Sequence, residues 1–266
     1  MSTPVGHRRH PATAAASWAV LAVSLVLFAL PFWVLLRDGL GRGWSTVTEL
    51  FTDDEIPFAR SLLNSALVAV PQTLGQVLLC SLAGYGLARV RYRHASKVLG
   101  AVLATLMVPT AVTFVPSFVV VSTLGWVSDL RGLIIPGMFS ALNVFLFRQY
   151  FLDFPRALEE AGRLDGLSRW GVFRRIVVPN STGFLAAIAV IDFFASWNQL
   201  LWPLVIAQDA DSWTVQVALS SLLTAQNPKV QLLFAAAAIS ILPLVLVFVV
   251  LQRQLVRGVT ETGLTG

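Results

Sequence analysis

Asp192 is the one acid well inside an apolar run, between Phe184 and Ile206. A charge at the middle of a bilayer costs at least ~2.5 kcal/mol on insertion scales, so such a group faces protein or water, not lipid. Ser196 and Gln199 follow at i+4 and i+7, on the same helix face, with Trp197 and Asn198 beside them. Three chemistries fit this set. The polar stripe could line a solute path, with Trp197 stacking on a sugar ring. The same groups could hydrogen-bond to a partner helix. The carboxyl could relay protons, although no second intramembrane carboxylate is present to pass a proton on. Ser65, Gln72 and Gln76 form a similar stripe at i, i+7, i+11 in an earlier run, with helix packing or a solute path as its readings. No catalytic constellation is visible. The chain lacks G-x-x-x-x-G-K-[ST], H-E-x-x-H and G-x-S-x-G, so it has no phosphate-binding loop, metal helix or nucleophile elbow. His7, His10 and His94 lie in basic, polar flanks and belong to no metal-ligand cluster. Cys80 is the only cysteine, which excludes an internal disulfide.

The elements that must position these residues are apolar helices. Of 266 residues, 56% are hydrophobic and only 12% charged, where a soluble domain carries about 25% charged residues. Apolar runs of this length place the chain among helical integral membrane proteins. We read an all-α fold with six transmembrane helices: 17–36, 61–88, 98–124, 133–151, 184–206 and 230–251. Residues 1–16 form an N-terminal tail, 252–266 a short C-terminal tail, and 37–60 and 207–229 polar loops. Six spans put both termini on one side. Of the 19 Lys and Arg residues, 14 fall on that side and 5 on the other. The positive-inside rule therefore places the termini and the 154–179 loop in the cytoplasm. No basic stripe with interleaved aromatics is present, so nucleic acid is not an expected partner.

The 154–179 loop, FPRALEEAGRLDGLSRWGVFRRIVVP, is unlike the apolar runs around it. Pro155 suits the first turn of a helix. Ala157, Leu158, Ala161 and Leu164 recur at helical spacing and make one apolar face. Asp165-Gly166 reads as a stop, because Gly adopts the left-handed conformation that ends helices. Ser168 can cap a second short helix, with Trp170, Phe173 and Val177 as its apolar edge, and Pro179 closes the unit. The apolar faces could rest on the chain's own helices. Alternatively, the loop is a docking knob for a soluble partner.

The spacing Glu160-Ala161-Gly162, Asp165-Gly166, Ile176-Val177-Val178-Pro179 resembles the "EAA" loop of ABC importer permeases, E-A-A-x-x-D-G-A followed by I-x-L-P. Gly162 and Leu167 depart from alanine and Val178 from leucine. Gly162 costs about 1 kcal/mol against Ala in a helix interior. Two further stretches resemble sugar-importing members of that family. The run from Trp197 through Asn198, Gln199, Leu200, Leu201 and Trp202 to Pro203 and Leu204 is similar to W-N-D-F-L-W-P-L, departing at Gln199 and Leu200. The tail from Gln252 to Gly266 is similar to Q-R-x-F-V-x-G-L-T-x-G-A-V-K-G, with Thr265 for the lysine. Asn64-Ser65 and the run Ala83 to Arg89 resemble the second span of the maltose-type branch.

The resemblance implies a type I ABC importer permease fold whose 154–179 loop is a cytoplasmic coupling helix. It implies ATPase coupling through Glu159, Glu160, Ala161, Gly162, Asp165, Gly166, Phe173 and Pro179, and a solute pathway near Asp192, Ser196, Trp197, Asn198 and Gln199. The expected partners are a second, homologous permease, two copies of an ATP-binding subunit, an extracellular solute-binding protein and membrane lipid. No cofactor is expected on this chain; ATP and Mg belong to the ATPase. ATP binding would draw the coupling loops together and open the pathway outward, and hydrolysis would reset it. The implied cargo is a sugar or oligosaccharide, with another polar solute, such as an amino acid or peptide, as the alternative. A proton- or sodium-coupled transporter using Asp192 is the rival from a different class.

Overall fold

Every extended apolar run in the sequence becomes helix, because a chain in lipid must satisfy its backbone hydrogen bonds within itself. The computed structural model describes residues 11–41, 43–53, 55–90, 93–224 and 229–262. In chain order the helices are α1 (Pro11–Leu40), α2 (Trp44–Thr52), α3 (Phe58–Arg89), α4 (Ala95–Thr105), α5 (Thr110–Thr123), α6 (Leu130–Ile134), α7 (Ala141–Asp153) and α8 (Arg156–Leu164). After them come α9 (Arg169–Val172), a π-helical turn (Phe173–Val177), α10 (Val178–Asn180), α11 (Thr182–Trp197), α12 (Leu201–Ile206), α13 (Val215–Thr224) and α14 (Val230–Thr262). Among the described residues, four helices are long and apolar enough to cross a membrane, or up to six if each of two bent pairs counts as one span.

The bends refine the expected spans. The third span is broken between α4 and α5, which meet at 94°. Pro109 stands just before α5 with extended backbone, and the residue before a proline is pushed out of helical geometry. The fifth span is shorter than the run 184–206. Helix α11 ends at Trp197, and α12 restarts at Leu201. At its other end α11 meets the 169–180 segment at 77°. The terminal tails are shorter than the sequence reading, since α1 opens at Pro11 and α14 continues to Thr262. Residues 1–10 and 263–266 lie outside the described part. The two polar loops are not wholly irregular: α2 lies in the first and α13 in the second. Helix α13 buries Val215, Val217, Ala218 and Leu222, so an apolar stripe had been hidden by its polar flanks.

Helix α3 is the axis of the bundle, packing against both α7 and α11, while α14 packs on α11 and α1. Three apolar clusters hold these helices. Leu50, Phe58, Phe193, Val215 and Leu232 close the end where α3 begins. Tyr85, Phe147, Phe151, Val172, Phe173 and Val177 close the end that carries α8 and α9. Val68, Val121, Leu133 and Trp202 join α5, α6 and α12 to the flank of α3.

Candidate functional site

Helix α8 buries one of its two glutamates and exposes both of its leucines. Glu159 is 3% exposed, whereas Leu164 is 89% exposed and Leu158 is 43% exposed. Ala157, Glu160 and Ala161 share the exposed surface. The apolar face read from the sequence therefore does not rest on the chain's own helices; it faces outward. The buried carboxylate is held by α3. Arg89 Nε lies 2.8 Å from Glu159 Oε1, and the Tyr85 hydroxyl donates to Glu159 Oε2 at 3.1 Å. Arg163, one turn along α8, stands 3.7 Å from the same oxygen. The Arg89 guanidinium also donates to the Phe154 carbonyl at the entrance of the loop.

The end of α8 takes the form expected from Asp165-Gly166. Gly166 has φ +80°. The Leu167 N–H donates to the Gly162 carbonyl and the Gly166 N–H to the Arg163 carbonyl, at 2.9 and 3.0 Å. That pair of bonds is a Schellman cap. Ser168 then caps α9, its hydroxyl accepting from the Gly171 N–H at 3.1 Å. Gly162 does not interrupt α8. It is buried, and a Cβ there would press on the end of the Ile176 side chain, which would have to turn aside. Phe173 is buried, stacked on Trp170 with ring centroids 5.6 Å apart. Pro179 is exposed and does not end the unit. The helix runs on to Asn180, preceded by the π turn, and the chain bends at Ser181. Glu160, Ala161, Asp165 and Gly166 are exposed, and Glu159, Gly162 and Phe173 are buried. The expected coupling set thus divides into an outward group and a group that holds the loop on the bundle.

The second expected set is mostly interhelical. Asn143 Nδ2 of α7 lies 2.9 and 2.8 Å from the two carboxylate oxygens of Asp192, and 2.9 Å from Gln76 Oε1. Ser196 donates to Gln72 Oε1 at 2.5 Å. Gln72 and Gln76 donate in turn to the carbonyls of Leu133 and Gly137, at 2.6 and 2.8 Å. Ser65 accepts from the Val215 N–H at 2.7 Å. These bonds tie α3 to α6, α7, α11 and α13. They match the packing reading of both stripes, and Asn143 is the member that sequence spacing did not reveal.

Trp197 does not present a ring face to an open polar path. Its indole is 3% exposed, lies against Phe193, and donates to the Ser240 carbonyl at 3.1 Å. It borders a groove of about 500 Å³ shared with Leu62, Ala66, Phe193 and Pro243, whose lining among the described residues includes no polar side chain to receive a hydroxyl. Asn198 and Gln199 are exposed at the end of α11. Asn198 Oδ1 accepts from Gln216 at 3.2 Å. At the same end of the bundle, Lys229 Nζ lies 2.5 Å from Asp53 and 3.4 Å from Glu55. Burial pushes the Asp53 carboxyl up, but hydrogen bonds from Lys229 and from the Glu55 and Ile56 backbone outweigh it, leaving the group below its ordinary range. The bond to Asp53 holds Lys229 above the usual lysine value.

This geometry has relatives. The family described as "Binding-protein-dependent transport system inner membrane component" matches residues 76–261. The lactose transport system permease protein LacG of Rhizobium radiobacter is 34% identical over 255 residues, covering 91% of this chain and 93% of the relative. The arabinooligosaccharides transport system permease protein AraQ of Bacillus subtilis is 31% identical over 239 residues, covering 87% and 85%. The sn-glycerol-3-phosphate transport system permease protein UgpE of Pectobacterium atrosepticum is 36% identical over 208 residues, covering 77% and 74%. Among solved structures, a chain from a bacterial ABC transporter involved in the import of the acidic polysaccharide alginate shares the fold with a TM-score of 0.81. It is 19% identical, and the match covers 94% of this chain and 99% of that one.

Proposed function

This chain belongs to the binding-protein-dependent transport system inner membrane components, and from that premise we propose that it is the transmembrane subunit of an ATP-driven importer for a carbohydrate or a similarly hydroxylated solute. The single observation that carries the coupling role is that α8 buries Glu159 and leaves Leu158 and Leu164 uncovered. A short helix that gives its inner face to a carboxylate and exposes Leu164 gains by placing that leucine in a partner's cleft. The partner is a separate ATP-binding subunit, two copies serving this chain and a second permease. A solute-binding protein delivers cargo at the opposite end. With 14 of 19 basic residues on the side of the termini and the loop, α8 and both termini face the cytoplasm. The names of the relatives, lactose, arabinooligosaccharides and sn-glycerol 3-phosphate, support a hydroxyl-rich cargo rather than an amino acid or peptide. Asp192, hydrogen-bonded to Asn143, serves as an interhelical tie in this reading.

The test is purification of the tagged chain from its own cells in mild detergent, wild type beside Gly166→Asp. Wild type brings down a P-loop ATPase and a second permease; the variant keeps the permease and loses the ATPase. Wild type that purifies alone and still moves solute overturns the reading.

A further inference from the structure

Arg89 and Glu159 form the most enclosed ion pair among the described residues, with side chains 6% and 4% exposed. A buried pair gains little net stability over an apolar pair of the same size, so stability alone does not account for it. Its placement does. The covalent path enters α8 from α7 through Phe154 and Pro155. It leaves toward α11 through the Gly166 turn, the π turn and the bend at Ser181. Neither path includes α3. Arg89 reaches α8 through Glu159 and the loop entrance through the Phe154 carbonyl, and Tyr85 adds a hydroxyl to the same carboxylate. The Arg89–Glu159 contact, 2.8 Å between Nε and Oε1, joins opposite charges, whose attraction depends on distance and not on one bond angle. Farther along α3, Gln72 is bonded to Ser196 of α11 and Gln76 to Asn143 of α7.

We propose that Arg89 and Glu159 are a strut that passes displacement of α8 to α3, and that Gln72 and Gln76 pass it on to α11 and α7. This inference rests on the coupling role proposed above. Arg89, Glu159 and Tyr85 are positioning residues in it; none touches solute or nucleotide.

The experiment places one reporter cysteine, Ala59→Cys, at the far end of α3 in a Cys80→Ser background. The tagged chain is purified in nanodiscs with its co-purifying subunits. The maleimide labelling rate is read with and without Mg-ATP and vanadate, which needs no knowledge of the cargo. Trapping changes the rate at least threefold with the strut intact. Arg89→Met/Glu159→Met, which leaves no unpaired charge, abolishes that change while the ATPase still co-purifies. The swap Arg89→Glu/Glu159→Arg restores at least half of it. Tyr85→Phe, which removes one hydrogen bond and no charge, at least halves the response and decides the matter if the double variants do not assemble. The strut is overturned if the parent gives no trapping response with its ATPase bound, if the double methionine variant or Tyr85→Phe responds like the parent, or if the swap does no better than the methionine pair. A merely structural pair would lower yield and melting temperature and leave the response intact. Absence of any ATPase from the unsubstituted chain would instead refute the coupling role, a separate outcome.

Discussion

Replacing Leu164 by alanine separates docking from folding. The side chain is 89% exposed in this chain, so truncating it removes almost no internal packing. The Schellman cap at 162–167 is made by backbone groups and survives the change. If Leu164 fills an ATPase cleft, nearly all its apolar surface remains to be buried there. Burying a leucine side chain is worth about 1.5–3 kcal/mol, and alanine retains about a third of it. The loss of about 1–2 kcal/mol corresponds to roughly 5- to 30-fold weaker association. The assay is titration of the ATPase onto the chain in nanodiscs, with the melting temperature of the chain alone as control. Leu164→Ala weakens association by that factor and leaves the melting temperature unchanged. Unchanged affinity, or a fall in the chain's own stability, would refute the argument that this face is reserved for a partner.

Two further outcomes follow from the polar contacts. Asp192→Asn retains transport and its pH profile, because the tie to Asn143 needs hydrogen bonding and not charge, whereas Asp192→Leu lowers stability by about 1 kcal/mol, as expected for an interhelical bond in a membrane protein; transport lost specifically in Asp192→Asn would restore the proton-relay reading. Lys229→Met lowers the melting temperature in detergent, and the deficit is constant from about pH 5 to about pH 9. The lowered Asp53 value makes its contribution present above the ordinary carboxylate range and lost as pH falls through the depressed value. The raised Lys229 value makes its contribution present below the ordinary lysine range and lost only above it. Melting curves that converge between about pH 5 and 7 would contradict this assignment.

What the sequence made legible was local. The stop at Gly166 and the cap at Ser168 are decided by one residue and its nearest neighbours, and both appear as expected. The run lengths matched four helices long and apolar enough to cross a membrane, while the other two expected spans are bent pairs, and Pro109 marked a site where a 94° break went unread. The two faces of α8 were visible as a pattern, but their direction was not, since periodicity does not tell which side meets the bundle. Glu159 settles it through a partner 70 positions away in the chain, and nothing in the spacing of Arg89 announces that pairing. Asn143 was missed for the same reason. For Trp197 the sequence left two readings open, because an indole suited to stacking on a sugar is equally suited to a helix interface once its N–H finds a carbonyl, as it does at Ser240.

In the coupling role proposed for α8, its buried charge and its exposed leucines answer one requirement. A coupling element must be released by its partner's motion without detaching from its own bundle. An apolar inner face would hold α8 on the aromatic cluster of Tyr85, Phe151 and Phe173 without tying it to one residue of α3, because apolar contact is non-directional. A buried carboxylate cannot leave its guanidinium without a desolvation penalty of several kcal/mol per ion. Glu159 therefore limits α8 to motions that Arg89 can follow, and Arg89 is the last residue of α3. The outer face has the opposite need, since a subunit that closes and reopens must bind through surface it can release. Leu164 and Leu158, exposed on a nine-residue helix, would offer that kind of contact, and under the proposed strut the buried pair beneath them would keep the load on α3.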